Sequence, residues 1–81
     1  MKSFGSKDLI ICLHKLGFRK NKQHGTSHLK LSSQNPVPAG TRPFIIVILN
    51  KKIYDPHTQR SYLRQIKNLG YTQEEIEKNM P

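Results

Sequence analysis

Residues 27–32 read "SHLKLS", with leucines at alternate positions and polar side chains between them. The two-residue period of a β-strand puts Leu29 and Leu31 on one face and His28, Lys30 and Ser32 on the other. A leucine face needs cover, whereas the polar face needs water, so the strand belongs to a sheet with helices on one side. Upstream, "FRKNK" (18–22) predicts a short strand with Phe18 inward, and "QHGT" (23–26) holds the glycine a tight hairpin turn needs. Downstream, "SSQNPVPAGTRP" (32–43) has three prolines and one glycine among small polar residues, which predicts a long mobile excursion. "FIIVIL" (44–49) follows as a continuous, largely β-branched run, expected to be the central or best-covered strand of the sheet.

Helix signals bracket these strands. Ser6 is a hydroxyl N-cap candidate, and Asp8 adds favourable charge to the first turn. Leu9, Leu13 and Leu16, widened by Ile10 and Cys12, form the apolar stripe of a helix over 6–16 that Gly17 stops. Asp55 before Pro56 is a helix start. The helix over 56–69 buries Leu63, Ile66 and Leu69 with Tyr62 alongside, and Gly70 ends it. Thr72 and Glu75 form a capping box for a short helix over 73–79 anchored by Ile76. The whole chain, 1–81, is one domain with strands at 18–22, 27–32 and 44–49. The expected architecture is α+β: a two-layer α-β-β-β-α domain, its three-stranded antiparallel sheet carrying helices on one face.

Fourteen lysines and arginines against five acids leave a net charge of +9. So basic a small domain is drawn to polyanions, nucleic acid above all. The cations crowd between Lys15 and Lys30, whereas Glu74, Glu75 and Glu77 gather near the end. No apolar run approaches the ~20 residues of a membrane span. The apolar stretch in "MKSFGSKDLIICL" is short for a signal-peptide core and no small-residue cleavage site follows it, so the chain is expected in the cytoplasm. Cys12, the single cysteine, has no partner for an internal disulfide and sits in an apolar run as a small buried hydrophobe.

The order of elements is that of double-stranded-RNA-binding-type domains. Together with "KLGF" (15–18), "GTSHLKL" (25–31) and "NLGYTQEEI" (68–76), it closely resembles the HicA-type mRNA interferase toxins over roughly residues 5–77. That family has this fold, and its signature is Gly-Ser/Thr-x-His at the start of the second strand. The resemblance implies that His28 is catalytic, that the substrate is mRNA, and that a cognate HicB-type antitoxin protein holds the toxin off. Many members carry a Val-Pro-x-His segment at the end of the third strand; "VILN" (47–50) has neither that proline nor that histidine.

RNA is cleaved without a metal when its own 2′-hydroxyl attacks the adjacent phosphorus. The protein must take that proton and stabilise charge on the phosphate. Histidine suits proton transfer because its unperturbed pKa is near 6.5. Lys30 shares the face of His28 and can pair with a phosphate. Thr26 can donate a hydroxyl hydrogen bond, and Gly25 permits close backbone approach. Arg19, Lys20 and Lys22 extend the positive surface toward RNA. Of the other histidines, His24 lies in the turn as the candidate second acid/base, although the family signature does not fix its type; His14 lies on the helix surface and His57 at an ordinary helix start. The four show no metal-ligand spacing, so no metal or cofactor is expected. The competing reading is a non-catalytic RNA-binding module that uses the same basic face.

Overall fold

A computed structural model describes residues 2–24 and 27–81, the side chains of 22–24 excepted. The chain is an α+β domain running α1 (Ser6–Lys15), β1 (Phe18–His24), β2 (His28–Ser33), β3 (Phe44–Ile48), α2 (Pro56–Asn68) and α3 (Gln73–Asn79). The three strands form one antiparallel sheet in the order β1-β2-β3. Four strand ends differ from the sequence reading: β1 continues to His24, β2 begins at His28 and ends at Ser33, and β3 stops at Ile48. The turn signal "QHGT" therefore begins too early, because Gln23 and His24 still pair with Leu29 and His28.

The alternation in β2 is realised as burial. Leu29 and Leu31 lie in the core opposite Val47 and Ile45, whereas His28 is exposed and Lys30 is half-buried, opposite Ile48 and Ile46. Against the buried face pack Leu9, Leu13 and Cys12 of α1, Tyr62 and Ile66 of α2, and Ile76 of α3, with Phe4 and Phe18 filling the ends. Removing one such side chain costs about 2–5 kcal/mol, in transfer energy and in the cavity left behind.

The "FIIVIL" run is not the central strand; β2 is, and β3 lies at an edge. Its apolar residues fill two faces for different reasons. Ile45 and Val47 enter the core, whereas Phe44, Ile46 and Ile48 stay half-buried on the open side. The outward backbone groups of this edge are satisfied by phenols. Tyr62 Oη accepts from Ile48 N and donates to Ile46 O, each at 2.9 Å, and Tyr54 Oη donates to Ile48 O at 2.6 Å. Burial raises both phenol pKa values, and the neighbouring Tyr62 raises that of Tyr54 further, so both remain hydroxyl donors at neutral pH.

Two further expectations are corrected. The N-cap of α1 is Gly5, not Ser6, and the Gly5 amide donates to Asp8 Oδ2 at 3.3 Å. The Ser6 hydroxyl instead exchanges hydrogen bonds with the Lys51 backbone, donating to its carbonyl at 3.0 Å and accepting from its amide at 3.1 Å. These bonds, with Tyr54 N to Phe4 O at 2.9 Å, clamp the segment that carries the chain from β3 into α2. Gly5 is required there, since a β-carbon would collide with the Lys52 carbonyl oxygen. The 32–43 segment is likewise no free excursion. Asn35 Nδ2 reaches Leu16 O at 3.4 Å and Tyr71 Oη at 3.2 Å, and Gln34 N donates to Gly17 O at 3.3 Å, so its first half is docked against the end of α1.

Candidate active site

Because α2 lies along the β3 edge, its outer flank and the open face of the sheet enclose a cleft of about 400 Å³. The volume falls within the range of small-ligand sites. The floor is Phe44, Ile46 and Ile48 of β3, and His28 stands at one side from the first position of β2. The facing wall is α2, which contributes His57, Thr58, Ser61, Tyr62 and Gln65, while Arg42 enters from the end of the 32–43 loop. The wall begins where Asp55 caps α2, accepting from Thr58 N at 3.0 Å and from Thr58 Oγ1 at 2.7 Å, with Pro56 in the first turn. An adjoining hollow of about 350 Å³ shares Arg42, Phe44 and Gln65 and adds Thr41 and Asn68, so the two form one groove along β3.

His28 is exposed, and its Nδ1 lies 3.1 Å from Ser27 Oγ. When Nδ1–H donates to that hydroxyl, Nε2 carries the free lone pair a general base needs. Lys30 Nζ sits over the Phe44 ring, 4.3 Å from its centroid, and Arg42 Cζ lies 5.5 Å from the same centroid. One aromatic ring thus gathers two cations beside the imidazole. Cation–π contacts of this kind are worth about 0.5–1 kcal/mol at exposed sites and hold both charges near the groove.

Of the residues singled out in the sequence, His28 and Lys30 are brought to this side of the sheet. Arg19 and Lys20 are exposed on β1, the opposite edge, and do not line the groove. Lys22 and His24 stand opposite Lys30 and His28 in register after a bulge at Asn21, and their side chains lie outside the described residues. Gly25 and Thr26 lie outside the described residues altogether. His14 is exposed on α1. The cleft residues that sequence reasoning passed over are Arg42, His57 and Phe44. The one local signal for His57 was its place directly after the Asp55-Pro56 helix start; Arg42 sat in a segment read as a loop.

Cys12 plays no part. It is fully buried, and burial pushes its thiol up to about 11, with Lys15 pulling only weakly the other way. Among the described residues no three His, Cys, Asp or Glu side chains gather as a metal site. No helix among them is long and apolar enough to cross a membrane. What the groove offers is an exposed imidazole, a second imidazole on α2, Arg42, the Phe44 ring with Lys30 held against it, and hydroxyl and amide donors along α2. Such a set can hold a phosphodiester and move protons around it. No family model matches the chain, and no curated protein or solved structure does either.

Proposed function

We propose that the protein is a metal-independent endoribonuclease acting on single-stranded stretches of mRNA, with His28 as its proton-transfer group. The observation that carries this reading is the exposed His28 ring at the mouth of a groove that also holds Arg42 and the Lys30–Phe44 contact. The 2′-hydroxyl supplies the nucleophile, His28 Nε2 accepts its proton, and Arg42 with Lys30 stabilises charge on the phosphate oxygens. Phe44 offers a face on which a base can stack once the cations turn to phosphate.

The α-β-β-β-α order and the Gly-Thr-Ser-His signature extend this reading to a HicA-type toxin of double-stranded-RNA-binding-type fold, working in the cytoplasm. Its partner is then an antitoxin of HicB type with an acidic surface over His28 and the neighbouring cations. The charge of +9 supports affinity for either polyanion, RNA or antitoxin.

The test is cleavage of a defined RNA by purified protein in the presence of EDTA. The expected products carry 2′,3′-cyclic phosphate and 5′-hydroxyl ends. His28→Ala should lower the rate by about 10³-fold while leaving RNA affinity within about threefold. Undiminished cleavage by His28→Ala rejects the assignment. Retained binding with no cleavage by either form favours a non-catalytic RNA-binding module. Induced without antitoxin, the wild type should arrest growth with decay of RNA, and the variant should not.

A further inference from the structure

The cleft contains two imidazoles, on elements far apart in the chain. His28 opens β2, His57 lies in the first turn of α2, and both line the same 400 Å³ space over Ile46 and Ile48. Their positions are set independently. His28 is held by the β2–β3 ladder, opposite Ile48, with the backbone bond from Leu49 N to Ser27 O at 2.8 Å directly before it. His57 is held by the first turn of α2, which Asp55 caps and which Tyr62, one turn further on, fastens to the β3 edge. Both rings therefore line one cleft, together with Arg42 and over the apolar residues Ile46 and Ile48.

In-line displacement at phosphorus asks for two proton-transfer groups in one cleft. The entering 2′-oxygen and the leaving 5′-oxygen occupy opposite sides of the phosphorus, so one side chain cannot serve both at once. We infer that His57 is the general acid of the reaction, opposite His28 as general base, and this inference rests on the ribonuclease reading above. The 2′-oxygen forms its bond to phosphorus as its proton passes to His28 Nε2. The bond from phosphorus to the 5′-oxygen breaks as His57 delivers a proton to that oxygen. The products are a 2′,3′-cyclic phosphate and a 5′-hydroxyl, and solvent exchange returns both rings to their starting states. Ser27 Oγ lies 3.1 Å from His28 Nδ1, and in the tautomer whose Nδ1–H donates to that hydroxyl, Nε2 is free to accept. His57 is exposed, so replacing it removes little from the core.

The test separates proton donation from every structural role through the leaving group. Wild type, His28→Ala, His57→Ala and His24→Ala are compared on two substrates. One is a ribodinucleotide, whose 5′-alkoxide must be protonated; the other is the 4-nitrophenyl ester of a nucleoside 3′-phosphate, whose phenoxide leaves without a proton. His57→Ala should lose about 10²–10³-fold on the dinucleotide and less than about tenfold on the aryl ester, whereas His28→Ala should lose heavily on both. Thermal melts confirm folding, and His57→Gln replaces His57→Ala if the melt shifts. Equal losses on both substrates, no loss, or leaving-group selectivity that follows His24 or His28 overturn the assignment to His57 while leaving the ribonuclease reading intact. A wild type that cleaves neither substrate removes both together.

Discussion

The sheet has two edges, and the chain treats them in opposite ways. On β1 the outer strand carries Arg19 and Lys20, exposed, and is broken by a bulge at Asn21 that interrupts its register with β2. Charge and irregularity are how an open edge is kept from pairing with another strand. On β3 the edge is apolar and regular, and it is closed by the hydroxyls of Tyr54 and Tyr62. Closing an edge with a helix rather than with charge leaves a crevice where the helix shoulder meets the sheet. The groove that holds His28, Arg42 and His57 is that crevice. Among the described residues, the β1 edge carries exposed cations, whereas the β3 edge borders a cleft that Arg42 enters from the loop before it.

If this contrast is correct, the same cations should matter differently at the two edges. Neutralising Lys30 and Arg42 together, as glutamines, should lower the cleavage rate at saturating RNA by about 10²-fold, because charge gathering on the phosphate loses its nearest donors. Neutralising Arg19 and Lys20 should leave that rate within about threefold. Both pairs should reduce the salt dependence of RNA binding, by a slope of about 0.7 for each cation that contacts a phosphate of single-stranded RNA. A β1 pair that lowers the saturated rate as much as the groove pair would erase the distinction between the edges.

The next largest effect concerns the closure itself. Tyr62→Phe keeps the ring in the core but leaves the Ile48 amide and the Ile46 carbonyl without the partner they share. Unpaired groups of this kind cost about 1–3 kcal/mol, so denaturant melts should show a loss near 2 kcal/mol. Buried Cys12 gives a second gauge, since its thiol, raised to about 11, reacts only when the domain opens. Its labelling rate should rise in Tyr62→Phe and stay at the wild-type value in the Arg19, Lys20 pair. A melt unchanged by Tyr62→Phe would mean that water serves the β3 edge as well as the phenol does.

The two edges were not equally legible in the sequence. What local chemistry determines was readable: the leucine alternation of β2, the stripe of α1, the Asp55-Pro56 start of α2 and the Thr72–Glu75 box of α3. The side of the sheet on which His28 stands followed from the same two-residue period. What depends on packing was not. Six apolar residues in a row read as a strand covered on both faces, which is the mark of a central strand. The run lies at an edge instead: Ile45 and Val47 enter the core, and Phe44, Ile46 and Ile48 stay half-buried on the open face. The Tyr54 and Tyr62 hydroxyls serve the backbone groups that a second neighbouring strand would otherwise pair. Ser6 read as a cap because it is a hydroxyl ahead of a helix; its hydroxyl was already committed to Lys51, 45 residues away. His57 and Arg42 reach the cleft only because α2 docks against β3, and no spacing along the chain encodes that docking.

The smallest effect tests the wall of the groove rather than its floor. Asp55 is fully exposed, and its carboxyl is held below the usual carboxylate range by the Thr58 hydroxyl first and the Thr58 amide second. A folded-state value below the unfolded one means that the ionised cap stabilises the fold. That contribution is fully present above the unfolded value, near 3.9, and is lost as pH falls through the folded one. The melting temperature of Asp55→Ala should therefore lie below wild type by a constant margin between about pH 6 and 8, and the margin should shrink below about pH 4. Run beside it, the Arg19, Lys20 pair removes no carboxylate, so its margin should not follow this titration. A gap for Asp55→Ala that persists unchanged to about pH 3 would show that backbone preference, not the ionised carboxylate, starts α2. His57 stands two residues after Asp55, so a frayed first turn also displaces that ring. Cleavage by Asp55→Ala should then fall more on the ribodinucleotide than on the nitrophenyl ester, which ties the capping of a helix to the protonation of a leaving group.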